Sequence, residues 1–258
     1  MISIGIIFFL KKILDNKSIL VKIIYELISI VLTLALLYYA GQSFSLKGNE
    51  DSSLFIFLIV GEISLILPMV FAERIISYFQ EMRNVHFYQT LLGLQISPTQ
   101  FILSKVLVDA LFPFLRICSI LLACFVFFNF YFLFTNLLFF FLLQVLSVAL
   151  FTCMALSTNM FYLKFGRGIA LFHTLQSFAA IAGGLYFPTT IFPKYFKNIS
   201  DYIPQTQILK ISRAIFQSQK IDLNSVAILL FWLVFFISIT LILQKYLISS
   251  LKRKAQFF

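Results

Sequence analysis

Two ionisable residues stand deep inside apolar runs: Glu62 in "SSLFIFLIVGEISLILPMVFA" and Arg116 in "ALFPFLRICSILLACFVFF". An ionised group in the middle of a hydrocarbon layer is costly, so it faces a bundle interior, a partner charge or water. Counting back from Ala72 to Glu62, and forward from Lys105 to Arg116, puts each about 15 Å into its span at helical rise. At a shared depth the two are expected to form an intramembrane ion pair. It would serve either as a constitutive brace between two spans or as a gating or cargo contact.

The other chemistry-bearing residues offer less. His86 and His173 have no carboxylate or second histidine at ligand spacing, so no metal site is expected. Asp109 lies four residues past Lys105, a spacing that makes a local helix pair. Glu26 begins the first apolar run and is expected at the interface. Cys118, Cys124 and Cys153 all fall in apolar runs with no metal or redox spacing, as small buried or lipid-facing residues do. The P-loop pattern G-x-x-x-x-G-K-[ST] does not occur, and no glycine is followed by lysine. The chain therefore has no such cradle for the phosphates of ATP, and no cofactor of its own is expected.

The elements that must position these residues are membrane helices. Hydrophobic residues make up 61% of the chain and charged ones 12%, and the mean hydropathy is +0.98, well beyond a soluble domain. Six runs are long enough to cross about 30 Å of hydrocarbon as helices: about Ile23 to Ala40, Leu54 to Ala72, Val106 to Phe128, Leu133 to Leu156, Ile169 to Phe187 and Val226 to Leu243. Ten-residue alternating strand patterns are absent, so the expected fold class is an all-α integral membrane protein rather than a barrel. The 258 residues leave no room for a separate soluble domain. The start of the chain, 1–22, reads as an amphipathic helix at the membrane surface, with Lys11, Lys12, Lys17 and Lys22 toward headgroups. Its basic residues follow the apolar stretch, unlike a cleavable signal.

The net charge of +10 is placed beside apolar runs and so reads as topology rather than nucleic-acid binding. The N-terminal segment, the 73–105 loop, the 157–168 loop and the tail are basic. The loop after the first run sets Lys47 against Glu50 and Asp51. Both termini are therefore expected in the cytoplasm of a multi-pass cell-membrane (inner-membrane) protein. The 187–225 loop, where Lys194, Lys197, Lys210, Arg213 and Lys220 outnumber Asp201 and Asp222, is the one basic loop that six spans leave outside.

Two polar loops stand out, on opposite sides. In "ERIISYFQEMRNVHFYQTLLGLQISPTQFILSK", residues 73–105, a short helix from about Val85 to Leu94 would present Phe87, Leu91 and Leu94 on one face. Ser97 is then a cap, with Pro98 at the first position of a new helix. This loop resembles that of the membrane-spanning subunits of type-2 ATP-binding-cassette exporters. Glu81, Met82 and Arg83 resemble the family's charged start. Residues Gln89 to Ser97, with Leu91 and Leu92, resemble its Leu-Leu and turn portion, and Lys105 stands where its lysine enters the third span. His86 and Phe87 replace the family's Gly-Thr, Gln89 replaces its Glu, and the proline is displaced to Pro98. The second loop, "GGLYFPTTIFPKYFKNISDYIPQTQILKISRAIF", is similar to the family's outer segment, with Gly184, Pro188, Pro193, Pro204 and Arg213 in the matching places and short re-entrant helices between spans five and six.

The resemblance implies a transport subunit that is not itself an enzyme. Two copies, or this chain and a second permease, would form the pathway across the membrane. Two cytosolic ATPase subunits, binding ATP and Mg, would dock on the 85–97 helix at Phe87, Gln89, Leu91, Leu92, Leu94, Ser97 and Pro98. Export of an amphiphilic or polymeric cargo (lipid-linked glycan, lipid, drug or peptide) would result, with room for accessory periplasmic or outer-membrane components. Two other classes remain open: a secondary transporter driven by an ion gradient, and a membrane-embedded enzyme, which needs clustered catalytic groups at one depth.

Overall fold

The computed structural model describes residues 17–45, 51–84, 98–128, 134–165 and 169–255, and every regular element among them is helical. Lipid offers the backbone no hydrogen-bond partner, so apolar runs of this length satisfy their N–H and C=O groups internally. In chain order the helices are α1 (Lys17–Ser45), α2 (Asp51–Asn84), α3 (Pro98–Asp109), α4 (Leu111–Phe128), α5 (Phe134–Phe165) and α6 (Ile169–Ala182). Next come a 3-10 turn (Thr189–Ile191), α7 (Lys194–Ser200), α8 (Pro204–Phe216) and α9 (Leu223–Ala255). Among the described residues, five stretches are long and apolar enough to cross a membrane: Ile24–Gly41, Leu54–Glu81, Phe101–Phe127, Thr135–Asn159 and Leu223–Leu243. Those are the marks of a multi-pass membrane protein.

The run expected to span from Ile169 to Phe187 behaves differently. Its described helix ends at Ala182, short of Phe187. The expected surface helix over 1–22 falls mostly on 1–16, outside the described residues; α1 begins at Lys17.

α2 is the hub. Its spanning stretch is 56% buried, against 17% for that of α1 and 11% for that of α9, which leaves the outer two to face lipid or another protein. α2 packs on α1, α3, α4, α5 and α8, and its Ile63, Leu65, Ile75 and Ile76 are almost fully buried, as are Phe140, Leu150 and Phe151 on α5. Lipid tails are as apolar as leucine, so what such burial contributes here is close packing rather than escape from water.

Two prolines interrupt the spans without ending them. α3 and α4 form one kinked crossing: Ala110 N–H donates to Val106 O at 2.9 Å and Phe114 N–H to Ala110 O at 3.1 Å. Pro113 has no N–H for the carbonyl of Asp109, which sets the break there. Pro68 likewise denies a donor to the carbonyl of Ser64 inside α2. The lost bond is replaced from α5, where the buried Gln144 Nε2 donates to Ser64 O and Ile63 O, each at 3.2 Å.

The same contacts fix direction. Asn136 near the start of α5 donates from Nδ2 to Ser218 Oγ, just past α8, at 3.2 Å, and Thr240 Oγ1 on α9 meets Cys153 O on α5 at 3.1 Å. α8 also touches the early part of α2 through Arg213 and Phe57. α2, α5 and α9 therefore start at one common end, and the chain returns to that end between α5 and α9 by way of α6.

Candidate functional site

At the common end, the sequence dictates a sharp stop to α6. Gly184 has φ +83, and the bonds Leu185 N to Ala180 O (3.2 Å) and Gly184 N to Ile181 O (3.1 Å) close a Schellman turn around it. A Cβ at this position would lie 2.8 Å from Thr189 Cγ2, so glycine is required twice over. Three prolines then open the next three elements: Pro188 precedes the 3-10 turn, Pro193 precedes α7, and Pro204 begins α8. Each sits where its missing N–H has no helical partner to lose.

Arg213 ties this turn to the bundle. From α8 its Nη2 donates to Gly184 O at 2.8 Å and to Leu185 O at 3.2 Å, while the guanidinium lies 3.4 Å from the centre of the Phe57 ring. A cation is well placed among carbonyls at a helix C-terminus, and Gly61, where a Cβ would sit 3.1 Å from Nη2, leaves it room. The sequence grouped Gly184 with Arg213, and the structure brings them into contact. Further ties come from Ser200 Oγ to Ala182 O, Lys210 Nζ to Asp201 Oδ1 at 2.7 Å, Trp232 Nε1 to Tyr202 O at 2.7 Å, and Gln207 Nε2 to Asp201 O. α8 is packed among α2, α5, α6 and α9, and even its polar Gln205, Thr206 and Ser212 are at most 1% exposed.

Beside this cap, α2 and α6 diverge to leave a cleft of about 380 Å³. α2 contributes Glu62, Leu65, Ile66, Met69 and Glu73, one face of a helix by spacing; α6 contributes His173, Gln176, Ser177, Ala180 and Ile181 in the same way. Leu185 and Tyr186 close the end next to Gly61. Gln176 is only 9% exposed, and neither its Nε2 nor its Oε1 has a hydrogen-bond partner. Glu73, His173 and Ser177 lie at the open side. Glu62, Glu73 and His173 share the cleft but do not converge as metal ligands. Sequence reasoning singled out Glu62, set His173 apart as isolated and passed over Glu73, Gln176, Ser177 and Tyr186. The available signal was confined to α6, where His173, Gln176 and Ser177 fall at the three- and four-residue spacing of one helix face; on α2 the face between Glu62 and Glu73 is Leu65, Ile66 and Met69 and carries no such mark.

The expected partner of Arg116 is corrected by the geometry. Its Nη1 lies 3.8 Å from Glu26 Oε2 and its Nη2 3.4 Å from Thr33 Oγ1, both on α1. The ion-pair contact of Arg116 goes to α1 rather than to Glu62. Counting residues fixes height along a helix and not rotation about it, and α1 packs against both α2 and α4.

At the opposite end, α2 and α3 are clasped where they flank 85–97. Lys105 Nζ lies 3.6 Å from Glu81 Oε2 and 3.8 Å from the centre of the Tyr78 ring, and Tyr78 OH donates to the Asp109 carboxylate. Phe87, Gln89, Leu91, Leu92, Leu94 and Ser97 lie outside the described residues; Pro98 is the first described residue of α3. No protein-family model matches the chain, and no curated protein matches it at a significant level.

Proposed function

We propose that this chain is the membrane-spanning subunit of a type-2 ATP-binding-cassette exporter, acting as a pair with a second copy or a second permease. The reading is supported above all by α2, one helix that carries the polar cleft toward its first half and ends at the clasp beside residues 85–97. A push received at 85–97 would enter α2 and α3 together through Lys105, Glu81, Tyr78 and Asp109, and α2 would carry it to the cleft. α6 and the turn after it make the sixth crossing, since α5 and α9 start at one end. The termini then lie in the cytoplasm, as the basic flanks favour.

Polar groups on the open side of a cleft at membrane depth require protein or water over them. A second permease placed there would complete a pathway. ATP and Mg belong to two cytosolic ATPase subunits, whose closure on ATP would rock the paired permeases toward release on the far side. Affinity purification of the tagged chain in mild detergent tests this: a stoichiometric ATPase subunit is expected, and its reproducible absence would sink the proposal.

A second reading has an observation of its own. Glu62, Glu73 and His173 on one cleft are groups that ion-driven transporters use as proton relays. Transport that survives ATP depletion and stops when the proton gradient is collapsed would favour it over the ATP-driven one.

A further inference from the structure

We infer that the α2–α6 cleft binds a linear organic cation with amine groups at both ends. Glu62 and Glu73 are eleven residues apart on α2, about 16 Å along the axis, and α6 runs antiparallel beside them. Tyr186 therefore stands at the Glu62 end and His173 toward the Glu73 end. Leu65, Ile66 and Met69 pave the α2 wall between the carboxylates. A volume of about 380 Å³ drawn out over about 16 Å has room for one unbranched chain.

The charges select the ligand. Both carboxylates call for cations, and no lysine or arginine is among the described lining residues. Carboxylates about 16 Å apart cannot converge on one metal ion, whose ligands lie within about 2.6 Å of it. A cation at each end, joined by methylenes, meets both carboxylates and the apolar wall at once. Gln176, one turn from His173 and so toward the Glu73 end, is buried with its amide oxygen and nitrogen both unbonded, and its oxygen is a ready acceptor for the amine at that end. Arg116 does not line the cleft and is engaged by Glu26.

The ligand is cargo only if the chain is a transport subunit, and in that clause the inference rests on the proposed function; binding itself is measured on the purified full-length chain, without ATPase. The probes are dodecamethylene diamine, hexamethylene diamine as too short, and dodecanediol as uncharged. Titration calorimetry in detergent uses the double variant Glu62→Gln, Glu73→Gln as the blank for uptake by micelles. The long diamine should bind, the short one at least about tenfold more weakly, and the diol no better than to the blank. Glu73→Gln, at an exposed position, should weaken binding at least about tenfold, and Glu62→Asp should retain more binding than Glu62→Gln. Equal binding of diol and diamine, no effect of Glu73→Gln, or no binding of the long diamine to a monodisperse chain each overturns the inference. Diamine binding without a copurifying ATPase would refute the exporter reading alone, and the reverse result this inference alone.

Discussion

Removing Gln144 should matter only because Pro68 is where it is. In α2 the carbonyl of Ile63 has the Leu67 N–H as its helical donor, whereas the carbonyl of Ser64 faces Pro68 and has none. Gln144 Nε2 supplies the missing donor at 3.2 Å from the middle of a buried interface. A buried carbonyl left unbonded costs about 1–3 kcal/mol in protein interiors, and interhelical hydrogen bonds in membranes average about 0.6 kcal/mol. Gln144 Oε1 is itself buried without a partner, so leucine relieves some desolvation. The net cost of Gln144→Leu is therefore about 1 kcal/mol. Pro68→Ala returns an N–H to Ser64 O, and in that background Gln144→Leu should cost close to nothing, a coupling of about 1 kcal/mol. Unfolding by sodium dodecyl sulfate in mixed micelles, followed through the single tryptophan Trp232, measures all four corners. An equal cost of Gln144→Leu in both backgrounds would refute the reasoning and assign Gln144 to packing alone.

The same geometry sets other outcomes. Arg213→Met should destabilise by about 2 kcal/mol in the same assay, because Gly184 O and Leu185 O lose their donors, and Arg213→Lys should fall between it and the wild type. Ser218 holds φ +52 just past α8 and accepts the bond from Asn136, so Ser218→Gly trades relieved backbone strain against that bond and should leave stability within about 0.5 kcal/mol, while Gly184→Ala should destabilise by at least about 1 kcal/mol. Charge exchange between Glu26 and Arg116 should restore the yield of folded protein lost by either single reversal, measured by size-exclusion chromatography. If exchange between Glu62 and Arg116 restores it instead, the α1 contact is not the one that counts.

The sequence was most legible where one residue determines local backbone. Pro188, Pro193 and Pro204 were expected to interrupt the chain between spans five and six, and in the structure they stand at the starts of the 3-10 turn, α7 and α8, because a missing N–H acts without tertiary help. Apolar run length located five of the six expected spanning stretches, because a long apolar run must satisfy its backbone internally as a helix in lipid. Rotation about a helix axis was not legible: Arg116 was expected to face Glu62 on α2 and meets Glu26 on α1. The cleft was less visible still, since Glu73 and His173 lie a hundred positions apart and meet only through the antiparallel course of α2 and α6. The bond from Gln144 to Ser64 joins two features, a helix-internal proline and a lone membrane glutamine, that are legible singly but not as a pair.

The central claim is that a partner's ATP cycle enters this chain at residues 85–97. The most direct measurement replaces Leu91 and Leu92 by glutamate and tracks both ATPase copurification and membrane insertion of the tagged chain. Retained insertion with loss of the ATPase is the predicted result. Loss of insertion, or an ATPase that still copurifies with the inserted variant, would contradict it.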